Sequence, residues 1–193
     1  SFVAVLAIII AYFCGTLPIA ILIAKSKGID ITTFGSGNPG ASNVARALGT
    51  KYGVLVFVGD ALKGALPVLA LLSNRPIAYA CAAATVLGHV FPITRKFKGG
   101  KGVATALGIL LAINWVLGLT TLSTWLIVAV FLRYSSLAAL ISALFAPVYF
   151  VFLFGIQPMA MAILLMSALL IWRHRSNIKN LLNGTEGRLG KKK

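Results

Sequence analysis

Residues Val103–Leu132 read VATALGILLAINWVLGLTTLSTWLIVAVFL, thirty positions without a charge. A helix that crosses a bilayer needs about 20 apolar residues, within a range of about 17–25. The run is too long for one crossing and short for two. Charge parity decides how it is read. Lys and Arg collect on cytoplasmic loops, and the chain has three basic segments: one that begins at Lys25 and Lys27, a loop at Arg95–Lys101, and a tail from Arg173 that holds seven Lys/Arg. Placing all three on one side requires an odd number of crossings. The run must therefore turn back near Asn114–Gly118 and form two short helices, with Arg133–Ser136 as an inner turn.

Working outward, apolar runs at Ser1–Ala24, about Lys51–Leu72 and about Ile77–Phe91 precede that pair, and runs at about Leu137–Phe154 and Ile156–Trp172 follow it. The expectation is an all-α integral membrane protein with seven transmembrane helices, several of them short. The N-terminus lies outside, the C-terminus is cytoplasmic, and 1–193 forms a single domain. Arg75 is then the only Lys/Arg outside and Lys63 the only one within a span. The first run has no basic residue before it and exceeds a signal-peptide core, so it reads as a true span. Composition agrees: 59% of residues are hydrophobic, 11% are charged and the mean hydropathy is +0.95. A soluble domain is about 45–50% apolar and about 25% charged, so this chain lacks the residues for a water-facing skin. Helices and closed barrels are the spanning solutions, and these runs do not alternate as barrel strands do. Short spans imply a thin or tilted bundle.

The net charge of +15 comes from 18 Lys/Arg against Asp30, Asp60 and Glu186. In a soluble protein this would point to nucleic acid. Here no basic soluble domain exists, so the partners of most of these charges are membrane lipids, not nucleic acid. Cys14 and Cys81 lie in apolar runs without metal-ligand spacing and read as packing residues.

The polar segments carry the chemistry. In Gly35–Arg46, GSGNPGASNVAR, the glycines Gly35, Gly37 and Gly40 allow close backbone approach to a ligand. Asn38-Pro39-Gly40 is a turn signal, after which Ala41–Leu48 forms a short helix stopped by Gly49. Its N-terminal amides, with Ser36, Gly37, Asn38, Ser42 and Asn43 nearby, suit an oxyanion. Arg46, one turn beyond Ser42, suits a forked contact to phosphate.

The second segment, His89–Thr105, contains KGGKG at Lys98–Gly102. It is not a Walker A loop: Gly102 stands where Ser or Thr is required, and no strand precedes it. Gly99, Gly100 and Gly102 open a membrane helix instead, where bare amides, a positive helix end and Lys101 converge. Arg95, Lys96 and Lys98 read as lipid-headgroup contacts, and His89 reads equally as a packing or a site residue. In the third segment, Trp172–Arg188, His174 and Asn177 stand three apart and share a helix face. Glu186 either pairs with an Arg or orients a loop. Lys191–Lys193 is a solvated or lipid-facing charge run. Within the second span, Asp60 and Lys63 stand one turn apart and read as a mutual, structural pair, because charges inside a membrane are costly unless partnered.

GSGNPGASN at Gly35–Asn43, KGGKG at Lys98–Gly102 and RHRSNIK at Arg173–Lys179, in this order on seven spans, resemble the bacterial acyl-phosphate:glycerol-3-phosphate acyltransferases, the PlsY family, across essentially the whole chain. The family often has Thr where Ser42 stands, which preserves a hydroxyl. The resemblance implies transfer of a fatty acyl group from acyl phosphate to the 1-hydroxyl of glycerol 3-phosphate, without metal or other cofactor, at the cytoplasmic face of the bacterial inner membrane. It assigns binding and catalysis to Ser36, Arg46, Gly99–Gly102 with Lys101, and His174 with Asn177, and a structural role to Glu186.

Elementary chemistry fits that reaction. Both substrates carry a phosphate, so two oxyanion cradles are needed. The leaving group is a stable anion, so no strong general acid is required. The signature of His followed five residues later by Asp is absent: Thr94 follows His89 and Lys179 follows His174. A transporter of an anionic phosphorylated metabolite would also use basic loops and helix ends, but its site belongs at mid-membrane, whereas these motifs cluster at one edge. A lipid-binding scaffold would need the charge without the ordered Asn-Pro-Gly and Gly-Gly-Lys-Gly geometry.

Overall fold

The computed structural model describes residues 1–191. Lys192 and Lys193, part of the expected charge run, lie outside the described residues, and Lys191 is exposed. All regular structure among the described residues is helical, and it falls into two compact units, Ser1–Ile113 and the chain from Asn114 onward.

The first unit contains α1 (Phe2–Gly15), α2 (Ile19–Ser26), α3 (Ala41–Leu48), α4 (Thr50–Ala70), α5 (Arg75–Val90) and α6 (Val103–Ile113). The first apolar run was expected to be one helix, and it breaks between α1 and α2. Pro18 has no N–H to continue the ladder, and the Thr16 hydroxyl donates back to the Phe13 carbonyl at 2.6 Å. The Leu17 carbonyl at the break accepts from Ile19 N at 3.0 Å and from Lys63 Nζ at 2.9 Å.

Glycines let the helices of this unit touch. A Cβ on Gly15 would strike the Thr85 carbonyl, and one on Gly88 the Tyr12 carbonyl, so α1 and α5 cross backbone to backbone. Gly64 and Gly108 play the same part between α4 and α6, against the Thr105 and Ala61 carbonyls. In lipid there is no hydrophobic drive between helices, and close backbone approach at small residues supplies the packing energy.

The second unit contains α7 (Trp115–Leu132), α8 (Ser135–Phe154), α9 (Pro158–Arg173) and α10 (Arg175–Leu182). The long run Val103–Leu132 is interrupted at Asn114, whose side chain accepts from Val116 N at 2.9 Å and Leu117 N at 3.1 Å and so starts α7 as an N-cap. Arg133, at φ 61°, ends α7 in the left-handed region. Thr124 and Tyr149 join α7 to α8 through a hydroxyl pair 2.7 Å apart.

Among the described residues, five helical segments are long and apolar enough to cross a membrane: Phe2–Ser26, Thr50–Ala70, Arg75–Arg95, Trp115–Leu132 and Ser135–Phe154. Helices α6 and α9 are apolar but shorter. With 11 residues, α6 is about 16 Å long at about 1.5 Å per residue, roughly half of a hydrocarbon core. Large apolar side chains face outward, Phe152 at 88% exposure and Phe131 at 79%. Such a surface belongs in lipid.

Candidate active site

The Gly-rich segment before α3 is held by Asn43. This side chain is buried, and its Nδ2 donates to the carbonyls of Phe34 at 2.8 Å and Ile31 at 3.2 Å, while Oδ1 accepts from Ser36 N at 3.3 Å. Asn43, expected to face a phosphate, instead serves the loop with both ends of its amide. Gly35 is required here: it sits at φ 53°, and a Cβ would collide with Asn43 Oδ1. Gly37 follows at φ 68°, its N–H donating to Phe34 O at 2.8 Å. The turn presents Ser36 outward, where its Oγ accepts from Asn38 N at 3.3 Å. Helix α3 has the expected span, and Gly49 at φ 98° stops it. Arg46 on α3 is exposed, with no hydrogen bond or ion pair to the described residues. Upstream, Asp30 accepts from the Thr32 hydroxyl at 2.6 Å and the Thr32 N–H at 3.0 Å. These bonds, the hydroxyl first, hold its carboxyl below the usual range.

The second loop folds back over the end of α5. The amides of Gly99 and Gly100 were expected to be bare, but they donate to the carbonyls of Val90 and His89, each at 3.1 Å. The glycines are there for close approach. A Cβ on Gly99 would strike the His89 and Val90 carbonyls, and one on Gly100 would strike His89 Nε2. Only Gly102, at φ 89°, needs glycine for its conformation. Tyr12 from α1 clamps the start of the loop: its hydroxyl donates to Phe91 O at 2.8 Å and accepts from Ile93 N at 2.9 Å. A 3-10 turn, Ile93–Arg95, follows, and Lys101 sits just before α6.

Beneath this loop lies the buried charge pair. Asp60 Oδ1 is 3.0 Å from Lys63 Nζ and 3.9 Å from His89 Nδ1. The expected mutual pair is present, and Lys63 also reaches Leu17 O. A cavity wholly within the first unit is lined by Asp60, Lys63, His89, Arg95 and Lys98, by Pro39 of the first motif and by the α1–α2 break. Arg95 Nε is buried with no hydrogen-bond partner among the described residues. The sequence alone sets Arg95 and Lys98 among lipid headgroups and reads His89 equally as a packing or a site residue. No spacing rule marked them, because the cavity forms only when α1 breaks and the loop returns over α5.

In the second unit His174 caps the end of α9 and the start of α10, so it stands at a junction between helices. It is buried, with Nδ1 2.8 Å from Leu170 O. A carbonyl only accepts, so Nδ1 carries the proton. Asn177 Nδ2 donates to Glu186 Oε1 at 2.8 Å, and Ser136 Oγ donates to the same oxygen at 2.8 Å. Through these two donors Glu186 fastens the tail to α8 and α10. Two further ties complete the strap. Arg133 and Leu189 exchange bonds, 2.7 Å from Leu189 N to Arg133 O and 2.7 Å from Arg133 Nη2 to Leu189 O, and Arg188 Nε donates to Tyr134 OH at 2.9 Å.

A family profile described as glycerol-3-phosphate acyltransferase matches residues 5–184. A glycerol-3-phosphate acyltransferase of Paraburkholderia phytofirmans is 50% identical over 194 residues, covering 96% of this chain and 90% of the relative. One from Ralstonia nicotianae is 54% identical over 192 residues, covering 95% and 92%. Among solved structures, PlsY (YgiH), an integral membrane glycerol 3-phosphate acyltransferase, is similar in its glycerol 3-phosphate form with a TM-score of 0.93 and 42% identity, over 97% of this chain and 96% of that one. Its lysophosphatidic acid form gives 0.90 at 42% identity, over 97% and 95%.

Proposed function

The chain belongs to the glycerol-3-phosphate acyltransferase family, and we propose that it transfers a fatty acyl group from acyl phosphate to the 1-hydroxyl of glycerol 3-phosphate, giving lysophosphatidic acid and inorganic phosphate. The observation that carries this reading is the likeness to PlsY, in its glycerol 3-phosphate and lysophosphatidic acid forms, along 97% of the chain. Acyl phosphate fits as donor because the residues offered are cations and hydrogen-bond donors rather than a carboxylic acid. A departing phosphate needs its charge stabilised, not a proton from a strong general acid.

In the step proposed, O1 of glycerol 3-phosphate attacks the acyl carbonyl carbon and the bond from that carbon to the phosphate oxygen breaks. Arg46 and Lys101 bind phosphate charge. Ser36, Gly37, Asn38 and Ser42 line the first cradle, with Asn43 holding its shape, and Gly99, Gly100 and Gly102 shape the second. The hydroxyl proton passes to a substrate phosphate oxygen, whose second ionisation lies near pH 6. Asp30, Asp60 and Glu186 are poor bases: Asp30 and Glu186 are committed to nearby donors, and Asp60 to Lys63. His174, flanked by Arg173 and Arg175, and Asn177 orient groups or stabilise the developing oxyanion. The protein is a multi-pass membrane protein. We place it in the bacterial inner membrane as a single seven-span domain, with the N-terminus outside and the chemistry facing the cytoplasm.

The proton assignment is tested at His174. His174→Gln retains a donor and is expected to keep more activity than His174→Ala. If the glutamine variant is as inactive as alanine, and added imidazole rescues it in proportion to its free-base form, His174 is the base and substrate-assisted transfer is wrong.

A further inference from the structure

We propose that His89 is a positioning residue: its imidazole is the floor on which Gly100 lies, and it fixes the height at which the next residue, Lys101, meets phosphate. The inference rests on the phosphate-binding role proposed above for Lys101. His89 is 8% exposed in the interior of the first unit. Its carbonyl accepts the Gly100 N–H at 3.1 Å, and its Nε2 lies where a Cβ on Gly100 would be. Gly100 therefore rests directly against the ring edge.

The ring is backed on its other side by charge: Nδ1 faces Asp60 Oδ1 at 3.9 Å, and Asp60 is paired with Lys63, which is tied to Leu17 O. Between Tyr12 at the start of the loop and His89 beneath its end lie Lys96 and Phe97, at φ 53° and 61°. Left-handed backbone in non-glycine residues persists only where the surroundings over-determine it. The two clamps supply that constraint. An apolar side chain of equal bulk would fill the space without offering the polar ring edge to Gly100 or facing Asp60.

The experiment compares purified wild type with His89→Leu and His89→Gln. Hydrogen exchange of a peptide covering residues 96–102 reads the loop itself, and initial rates against each substrate give KM and kcat separately. The leucine variant is expected to exchange roughly tenfold faster in this peptide. It should also show a KM for glycerol 3-phosphate or acyl phosphate raised about fivefold or more, with kcat changed less than about threefold. The glutamine variant, which restores a polar group, should stay within about twofold of wild type in exchange and KM. Wild-type loop exchange in His89→Leu overturns the proposal, as does a fall in kcat with both KM values unchanged. Should His89→Leu fail to fold, His89→Gln decides alone: near-wild-type exchange and KM support the role, and lost kcat at wild-type KM overturns it. If wild type turns over no acyl phosphate, the proposed function has failed, while loop exchange still decides whether His89 holds the loop.

Discussion

Lys63 donates to the carbonyl of Leu17 at 2.9 Å, joining the middle of α4 to the break between α1 and α2. The same ammonium lies 3.0 Å from Asp60. One cation thus satisfies a buried carboxylate and a carbonyl at a helix break. Both are groups that lipid would leave unsolvated at a cost of several kcal/mol.

Removing one charge of this pair should destabilise more than removing both. Asp60→Asn leaves a buried ammonium uncompensated, with a cost of about 3–5 kcal/mol in comparable buried pairs. The double variant Asp60→Asn/Lys63→Met should melt between that single variant and wild type, because Leu17 O still loses one of its two donors. Thermal unfolding in detergent makes the comparison. An Asp60→Asn protein as stable as wild type yet inactive would move the pair from scaffold to chemistry.

Among the cations, position decides effect. Arg46→Ala and Lys101→Ala should each lower kcat/KM by roughly tenfold to a hundredfold, the range for hydrogen bonds to a charged group, while the protein still folds. Lys96, exposed on the loop, and Lys192 should tolerate alanine with little loss. Equal losses at all four positions would indicate bulk surface potential instead of specific cradles.

The seven-span topology is open to labelling from each side of the membrane. With Cys14 and Cys81 replaced by serine, single cysteines at Ser36, Lys98 and Lys179 should react from the cytoplasmic side, and one at Ser73 from the outer side. These four positions are exposed. Labelling of Ser36→Cys and Lys98→Cys from opposite sides would remove the common face on which the charge-parity reading rests.

Helix α3 was legible to the residue, because an Asn-Pro-Gly turn and a terminal glycine punctuate it. The interruption near Asn114 was legible from length and charge parity together: thirty uncharged positions are too long for one crossing and short for two, and an odd number of crossings requires the run to turn back near Asn114–Gly118. The break at Thr16–Pro18 was not, since hydropathy stays high through it and a proline within an apolar helix is often tolerated, as Pro67 is within α4 and Pro147 within α8. Side-chain direction was also hidden. Asn43 and Asn38 look equivalent in the sequence, yet Asn43 turns inward to Ile31 and Phe34. Gly99 and Gly100 announced a close approach, and the end of α5 is what they approach.

Acyl phosphate, glycerol 3-phosphate and the purified protein test the central claim most directly. The protein should release inorganic phosphate and lysophosphatidic acid in equal amounts. Glycerol, which keeps the hydroxyl but lacks the phosphate, should be essentially unreactive even at saturating concentration, because it offers neither charge to Arg46 and Lys101 nor an oxygen to take the proton. Failure to use acyl phosphate, or turnover of glycerol at a rate comparable to glycerol 3-phosphate, would contradict the account.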